Sequence, residues 1–298
     1  TTEIYTLSLH DALPILSIAG NKNGSLHQSV TENLLFKNPE RYISETNIKE
    51  ISTWLPKSIE MEEINNYFWD KSIRPDTIPN GRDDYLLDLG MLKNLIKTGY
   101  LNFKNKYSIS SDYWTQIVIN ADYLSNFENP NDITLIMLDS IQPKGITNLY
   151  LDHNGILPVL GSIAIDNPIL PIQILEGPSI SLLAKVFSIQ SRAKFGTPIL
   201  KIRMEYKDGT YLEEEILKGS IVKIPLSAGQ TVKIFFEPLS NIDLNQFGKN
   251  IKKGLNVQGG LCGVIFDARG RPIRLQKNNA ERFEHFSNWN KSMGINLA

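Results

Sequence analysis

The residues with the clearest chemical potential lie in a glycine-rich stretch near the end of the chain. Residues 259–272 read GGLCGVIFDARGRP, an apolar run followed by an Arg-Gly-Arg turn. Two guanidinium groups at the tip of a rigid hairpin, those of Arg269 and Arg271, would suit a carboxylate, a phosphate or an acidic protein surface. The alternative is structural, with glycines that permit a bend, a buried strand and solvated arginines. We therefore take Asp267, Arg269 and Arg271 as candidate partner-binding residues.

Other catalytic and metal-binding signals are weak. Beyond residue 15 the histidines are His27, His153 and His285, which are far apart and lack a carboxylate at helical spacing, so no metal site is expected. The single cysteine, Cys262, lies in an apolar stretch, where a small buried side chain is expected rather than a nucleophile. Residues 213–215, three glutamates, fit an exposed edge strand. No catalytic residue is predicted, because nothing assembles a nucleophile, a base and oxyanion donors.

Composition favours a globular protein and excludes several classes. The chain has 298 residues, of which 41% are hydrophobic and 21% charged, as expected for one large or two medium domains. The net charge of -1 argues against a nucleic-acid-binding protein. Apolar runs such as Ile133–Leu138 are far shorter than the ~20 residues that span a bilayer, so no membrane segment is expected. One cysteine cannot form an internal disulfide, which favours a reducing, cytoplasmic compartment.

The first residues need a separate explanation. Residues 1–15 read TTEIYTLSLHDALPI, which is the one-frame translation of a common short-read sequencing adapter. A secretory signal would carry basic residues before its apolar stretch, and this segment contains no Lys or Arg. We interpret residues 1–15 as an artefact and residues 16–45 as a loop or the torn edge of a domain. The natural N-terminus is therefore expected upstream.

Residues 46–168 alternate between helix and strand patterns. Helices are predicted over Thr46–Trp54, Glu60–Lys71 and Arg82–Lys97, where apolar residues recur at helical spacing. A strand, a helix capped by Asp132, a second strand and a further helix follow at Gln116–Asn120, Ile133–Ile141, Asn148–Asp152 and Gly155–Ile165. This alternation predicts an α/β layer.

Residues 169–277 change to a β pattern. Strands are predicted at Leu182–Ile189, Pro198–Tyr206, Tyr211–Leu217, Ser220–Pro225 and Thr231–Glu237, with a Lys207-Asp208-Gly209 hairpin turn. A last hairpin would use Leu261–Asp267 as one strand and residues 268–271 as its turn. The spacing predicts a sandwich or a barrel, followed in residues 278–298 by a polar helix, Ala280–Trp289, and a tail. The fold class is thus α/β followed by all-β.

Several segments together resemble a known family. They are Trp54-Leu55-Pro56, Arg74-Pro75, LDSIQPKGIT at 138–147, Leu151-Asp152, GILPVLG at 155–161 and the 259–272 stretch. In order and spacing, from about Thr46 to Trp289, they resemble the C-terminal part of the MutL proteins associated with glutamate mutase. That family is unrelated to the mismatch-repair protein of the same name.

The resemblance implies a fold and a role. It implies an actin-like, ribonuclease-H-type ATPase fold, of which residues 46–168 would be part of the second lobe, followed by a β-rich domain at 169–277. Family members are regarded as accessory or reactivating factors for an adenosylcobalamin-dependent mutase. A cobalamin-dependent mutase is therefore the implied protein partner.

The resemblance also indicates where a nucleotide would lie. A glycine-rich turn after the strand matched by Ile117–Ile119 would approach a phosphate, but here Asn120, Ala121 and Asp122 follow. Their side chains and the Asp122 charge would obstruct a phosphate, which disfavours binding of ATP and magnesium even in an intact protein. Lys144 matches the family, although a surface lysine capping a helix C-terminus would explain it equally well.

Two functional hypotheses follow. The first is a truncated accessory or reactivating-type protein that is not catalytic as this fragment, because the first ATPase lobe is absent. The alternative is a non-enzymatic binding or assembly protein on a nucleotide-free actin-like scaffold, with the β domain contacting a partner. An independent enzyme of unknown type is a third, weaker reading.

Overall fold

A computed structural model describes residues 43–74, 77–106, 108–120, 129–164, 167, 169–175, 180–242, 247 and 251–295. Its helices are α1 (Glu45–Thr53), α2 (Met61–Ile73), α3 (Arg82–Lys106), α4 (Pro130–Ser140), α5 (Ile156–Ile163), α6 (Ile169–Leu175) and α7 (Asn279–Met293). Its strands are β1 (Gln116–Asn120), β2 (Gly145–Asp152), β3 (Ile180–Ser188), β4 (Pro198–Glu205), β5 (Tyr211–Leu217), β6 (Ile221–Ile224), β7 (Thr231–Pro238), β8 (Leu255–Gln258) and β9 (Val264–Asp267).

Helices α1 to α3 pack together around a core of their own. Ser44 caps α1, since its hydroxyl accepts a hydrogen bond from the Asn47 amide at 3.4 Å. The apolar faces of the three helices and the turn after α1 meet through Ile51, Leu55, Ile64, Phe68, Leu87, Met91 and Leu95. Helix α3 continues to Lys106, beyond the predicted end at Lys97, because Tyr100 and Phe103 extend its buried face against the neighbouring sheet core.

The larger sheet has five strands in the order β1-β2-β3-β9-β6. Strands β1 and β2 are parallel and joined by α4, β3 is antiparallel to β2, β9 is parallel to β3, and β6 is antiparallel to β9. Buried residues from α3, α4 and α7 share one core with this sheet. The sheet therefore has a helical layer on one face.

The cap predicted for α4 is wrong. Asn129 caps the helix through a 3.0 Å bond from the Asn131 amide, and Pro130 occupies the first turn, where its missing N–H costs nothing. The Asp132 carboxylate instead accepts a hydrogen bond from the Tyr85 hydroxyl at 2.5 Å. This contact connects α4 to α3.

The smaller sheet has four antiparallel strands in the order β5-β4-β7-β8. The predicted turn at residues 207–209 joins β4 to β5, and Gly209 has a φ of 85°. Phe187 and Phe266 of the larger sheet share a core with Ile202 and Ile234 of the smaller one. Both sheets are open, so the barrel alternative is wrong.

The last predicted hairpin is also wrong. Residues 268–278, which follow the predicted turn, contain no strand, and β9 instead lies between β3 and β6. All four β9 residues are buried, as is typical of a central strand with both faces covered. Gly263 precedes β9 with a φ of 73°, and a Cβ there would lie 2.3 Å from the Ile224 carbonyl oxygen. The glycines thus serve a close backbone approach, as the structural alternative proposed.

The larger sheet combines strands from the two regions separated at residue 168. Strands β1 and β2 come from residues 46–168, and β3, β6 and β9 come from residues 169–277. The chain therefore has mixed α/β content with most strands in its later part. The two regions share one sheet because β3 adds to the β2 edge.

Candidate functional site

The predicted partner-binding residues lie in a buried charge cluster where several elements end. Asp139 lies in the last turn of α4, Asp267 ends β9, and Arg269 and Arg271 follow directly. Strands β3 and β9 are parallel and end together at Ser188 and Asp267. The register of the sheet therefore brings the charged side chains to one place.

Arg269 is held by two carboxylates. Its Nη1 donates to Asp139 Oδ1 at 2.7 Å, and its Nε and Nη2 donate to the two Asp267 oxygens at 3.0 and 2.8 Å. The paired bonds to Asp267 form the fork arrangement that suits a planar guanidinium. Its guanidinium carbon also lies 4.9 Å from the centre of the Trp289 ring.

Arg271 is a second arginine bound to the Asp267 carboxylate. Its Nη2 donates to Asp267 Oδ2 at 2.8 Å and to Ser188 Oγ at 3.2 Å, and its Nε donates to the Pro143 carbonyl at 3.0 Å. The side chains of Arg269 and Arg271 are only 1% and 2% exposed. The predicted solvated arginine pair is therefore wrong, because buried carboxylates already use both guanidinium groups.

A lysine and aromatic rings border the same cluster. Lys93 Nζ contacts Asp139 Oδ2 at 2.8 Å and lies 5.7 Å from the centre of the Trp54 ring. Trp54, Phe286 and Trp289 line a cavity of about 30 Å³ that Lys93 and Asp139 also reach. A space of this size is large enough to hold ordered water.

The electrostatics favour the charged forms of Asp267 and Arg269. Burial acts to raise the pKa of Asp267, but Arg269 and Arg271 outweigh it and hold that pKa well below its usual range. Burial likewise opposes the charge on Arg269, but Asp267 and Asp139 raise its pKa. Asp267 therefore stays ionised near neutral pH, and its ion pairs with the two arginines help to join α4, β3 and β9.

The structure describes two of the four residues expected near a nucleotide, Asn120 and Lys144. Asn120 ends β1 opposite Asp152, at the far end of β2 from Lys144. At about 3.3 Å per residue, the strand separates these two ends by roughly 25 Å. Ala121 and Asp122 lie outside the described residues. The two described residues, Asn120 and Lys144, therefore lie at opposite ends of β2.

Lys144 has a different partner. Its Nζ contacts Asp112 Oδ2 at 3.1 Å, and Lys104 pairs with the other oxygen of the same carboxylate. Burial would raise the pKa of Asp112, but its bonds to Lys104, Lys144 and Tyr100 lower it. Lys144 thus fixes the start of β2 against the segment before β1.

Two other sequence predictions concern single groups. Cys262 is a buried free thiol, as predicted, and burial raises its pKa. Glu213, Glu214 and Glu215 lie exposed on β5, an edge strand, as predicted. Over the described ranges, no group of three or more His, Cys, Asp and Glu side chains is placed to hold a metal ion.

The sequence interpretation missed a polar group on the face of the larger sheet away from the helices. Lys185 of β3 pairs across the strands with Asn148 of β2, and Tyr150 follows on the same face. In the described part of the chain, Lys185 makes no ion pair, and Asn148 Oδ1 is buried without a hydrogen-bond partner. Burial lowers the pKa of Lys185 and raises that of Tyr150. Lys185 and Asn148 Oδ1 are thus removed from water without a compensating ion pair or hydrogen bond, which lowers the stability of the fold.

A second missed feature is an exposed apolar helix pair, α5 and α6, between β2 and β3. The Asp152 carboxylate positions it by accepting hydrogen bonds from the Ile156 and Leu157 amides at 3.1 and 2.9 Å. Val159 is 50% exposed and Ile169 is 63% exposed. Leu170, Ile172 and Leu261, at the same end of the sheet, are exposed too. The sequence feature that could have indicated this helix pair is the repeated Ile-Leu-Pro at 156–158 and 169–171.

Exposed apolar clusters of this kind mark binding surfaces. None of the helices in the described ranges is both long enough and apolar enough to span a bilayer.

No protein-family model, no curated protein and no solved structure matches this chain.

Proposed function

We propose that this chain is a non-enzymatic binding or assembly protein that docks a partner protein on the apolar helix pair. The observation that carries the proposal is the exposure of Val159, Ile169, Leu170 and Ile172 on two adjoining short helices. Burying such side chains yields about 25 cal/mol per Å² of apolar area, so their exposure is disfavoured unless a partner covers them.

The proposed docking surface on α5 and α6 is apolar and uncharged. Residues 156–164 and 169–175 contain no Asp, Glu, Lys or Arg, so a charged partner surface would lose solvation without gaining an ion pair. The charge cluster is an unsuitable contact surface, because its guanidinium groups are buried and paired with carboxylates. The proposed surface thus replaces the arginine pair that the sequence suggested.

The family resemblance identifies the first partner to test. An accessory or reactivating-type role would make that partner an adenosylcobalamin-dependent glutamate mutase. The parallel strands β1 and β2, joined by α4, are compatible with the last part of an actin-like lobe. A reducing, cytoplasmic compartment would suit the one buried thiol.

Calorimetric titration of purified glutamate mutase into the full chain tests the proposal. We expect binding to the unaltered chain and at least tenfold weaker binding to the double variant Val159→Asp/Ile169→Asp. The matched control is Leu217→Asp/Leu239→Asp, which places the same charges on side chains that are 39% and 43% exposed elsewhere. The control should bind normally.

Three results would refute the proposal. The unaltered chain could fail to bind the mutase, which would remove the proposed partner. The two double variants could lose affinity equally, which would remove the proposed surface. Binding to phosphatidylcholine vesicles without binding to the mutase would identify a lipid surface instead of a protein.

A further inference from the structure

Positive charge exceeds negative charge in the buried cluster. Its two carboxylates, those of Asp139 and Asp267, pair with three cations, which are Lys93, Arg269 and Arg271. The cluster therefore carries one more positive than negative charge before any neighbouring group is counted.

Lys218, in the turn between β5 and β6, borders this cluster. Two backbone hydrogen bonds fix its position, since its amide donates to the Thr197 carbonyl at 2.8 Å and its carbonyl accepts from the Gly196 amide at 2.8 Å. Its Nζ lies over Gly270, 2.9 Å from the point that a Cβ would occupy there. Arg271 Nη1 donates to the Gly270 carbonyl, also at 2.9 Å. The lysine and the arginine thus lie against the same glycine.

Arg274 is a further cation near Lys218. It is exposed and follows the buried residue Ile273. Burial lowers the pKa of Lys218, and the positive charges of Arg271 and Arg274 lower it further, whereas Asp267 acts in the opposite direction. Within the described ranges, neither Lys218 nor Arg274 belongs to an ion pair. With these two, the cations outnumber the carboxylates by three.

We propose that Lys218 and Arg274 bind a phosphate group beside Gly270, either as the free ion or as a phosphate monoester. An ammonium group and a guanidinium group are both suited to phosphate oxygens. A phosphate monoester carries about 1.5 to 2 negative charges at pH 7, which would offset most of the positive excess, whereas a carboxylate supplies only one.

This site is independent of the proposed docking surface on α5 and α6. Strand β2 runs from Gly145, opposite Ser188 beside the charge cluster, to Asp152, which caps α5. The two sites therefore lie at opposite ends of the strand, and either can fail without the other.

Thermal unfolding of the full chain at pH 7 in rising phosphate measures the binding. A ligand that binds only the folded chain raises its Tm, and sodium chloride keeps the ionic strength constant so that general screening does not change. We expect the Tm of the unaltered chain to rise with phosphate. The double variant Lys218→Met/Arg274→Met should raise the phosphate dissociation constant at least tenfold, and the single variant Arg274→Met, at an exposed position, should weaken binding in the same direction.

The matched control is Arg74→Met/Lys207→Met, which removes the same two kinds of charge from exposed positions elsewhere. Its response to phosphate should equal that of the unaltered chain. Separate titrations with inorganic phosphate and with O-phosphoserine distinguish the two sources. Tighter binding of inorganic phosphate would support the site with the free ion as its ligand, and tighter binding of O-phosphoserine would support it with a monoester.

Three results would overturn the inference. The Tm of the unaltered chain could stay constant with both probes. The two double variants could respond to phosphate equally. Acetate could raise the Tm as much as phosphate does, which would show that the site does not select a phosphate group.

Discussion

Neutralising Asp267 is the sharpest test of the buried charge cluster. The substitution Asp267→Asn keeps the size of the side chain but removes the charge that Arg269 and Arg271 share at 2.8 Å. Breaking a fully buried ion pair by altering one partner costs about 3–5 kcal/mol of folding free energy. For a chain of this size, each kcal/mol lowers the Tm by about 2–4 °C, so we expect a loss of roughly 10 °C.

Calorimetry or circular dichroism at pH 7 would measure the change in Tm. The control is Glu213→Gln, which breaks the exposed pair with Lys201 and should leave the Tm nearly unchanged. The low folded pKa of Asp267 means that its stabilisation is present above the unfolded pKa of about 3.9 and is lost only as pH falls through the folded value. The variant's deficit should therefore stay constant from pH 5 to 8.

The refuting result would be an unchanged Tm together with weakened partner binding. That outcome would mean that the two arginines face solvent, as the sequence suggested, and that the cluster is a docking site. A deficit that varied strongly between pH 5 and 8 would show instead that Asp267 titrates in that range. The reasoning from buried, permanent charge would then fail.

Three further predictions concern other positions. Lys185→Met should stabilise the protein at pH 7 in urea unfolding, whereas exposed Lys207→Met should not. Burial lowers the pKa of Lys185 in the folded state below its unfolded pKa of about 10.4. The gain in stability should therefore shrink as pH rises from the folded pKa towards the unfolded pKa, because the buried lysine then loses its charge. Gly263→Ala should lower the Tm far more than Gly209→Ala, since both have positive φ but only the former meets backbone atoms. ATP with magnesium should give no heat of binding in calorimetry, and micromolar affinity would contradict the interpretation of the turn after Asn120.

The local elements were largely predictable because local patterns determine them. Strands β1 and β5 have the predicted bounds, Gln116–Asn120 and Tyr211–Leu217, and the turn at residues 207–209 joins the predicted strands. Alternation of side chains and a glycine that tolerates positive φ act within a few residues. No distant contact was needed to recognise them.

The prediction of the last hairpin was wrong because strands distant in sequence determine where β9 lies. A glycine-rich run followed by an Arg-Gly-Arg turn is equally typical of a hairpin and of a strand entering a sheet. Strand β9 instead pairs with β3, so that Lys185 lies beside Val264. Its apolar residues on both faces were the available signal for a central strand.

The sequence by itself determined the mixed α/β character, the later strand-rich region, the buried thiol and the exposed glutamate edge. Only the tertiary structure decided that Arg269 is buried, because its partner Asp139 lies 130 residues away and is brought to it by the ends of α4 and β9. The apolar helix pair shows the same limit. Its composition was readable, but whether Val159 and Ile169 are covered depends on which elements pack there, and that is a property of the folded chain.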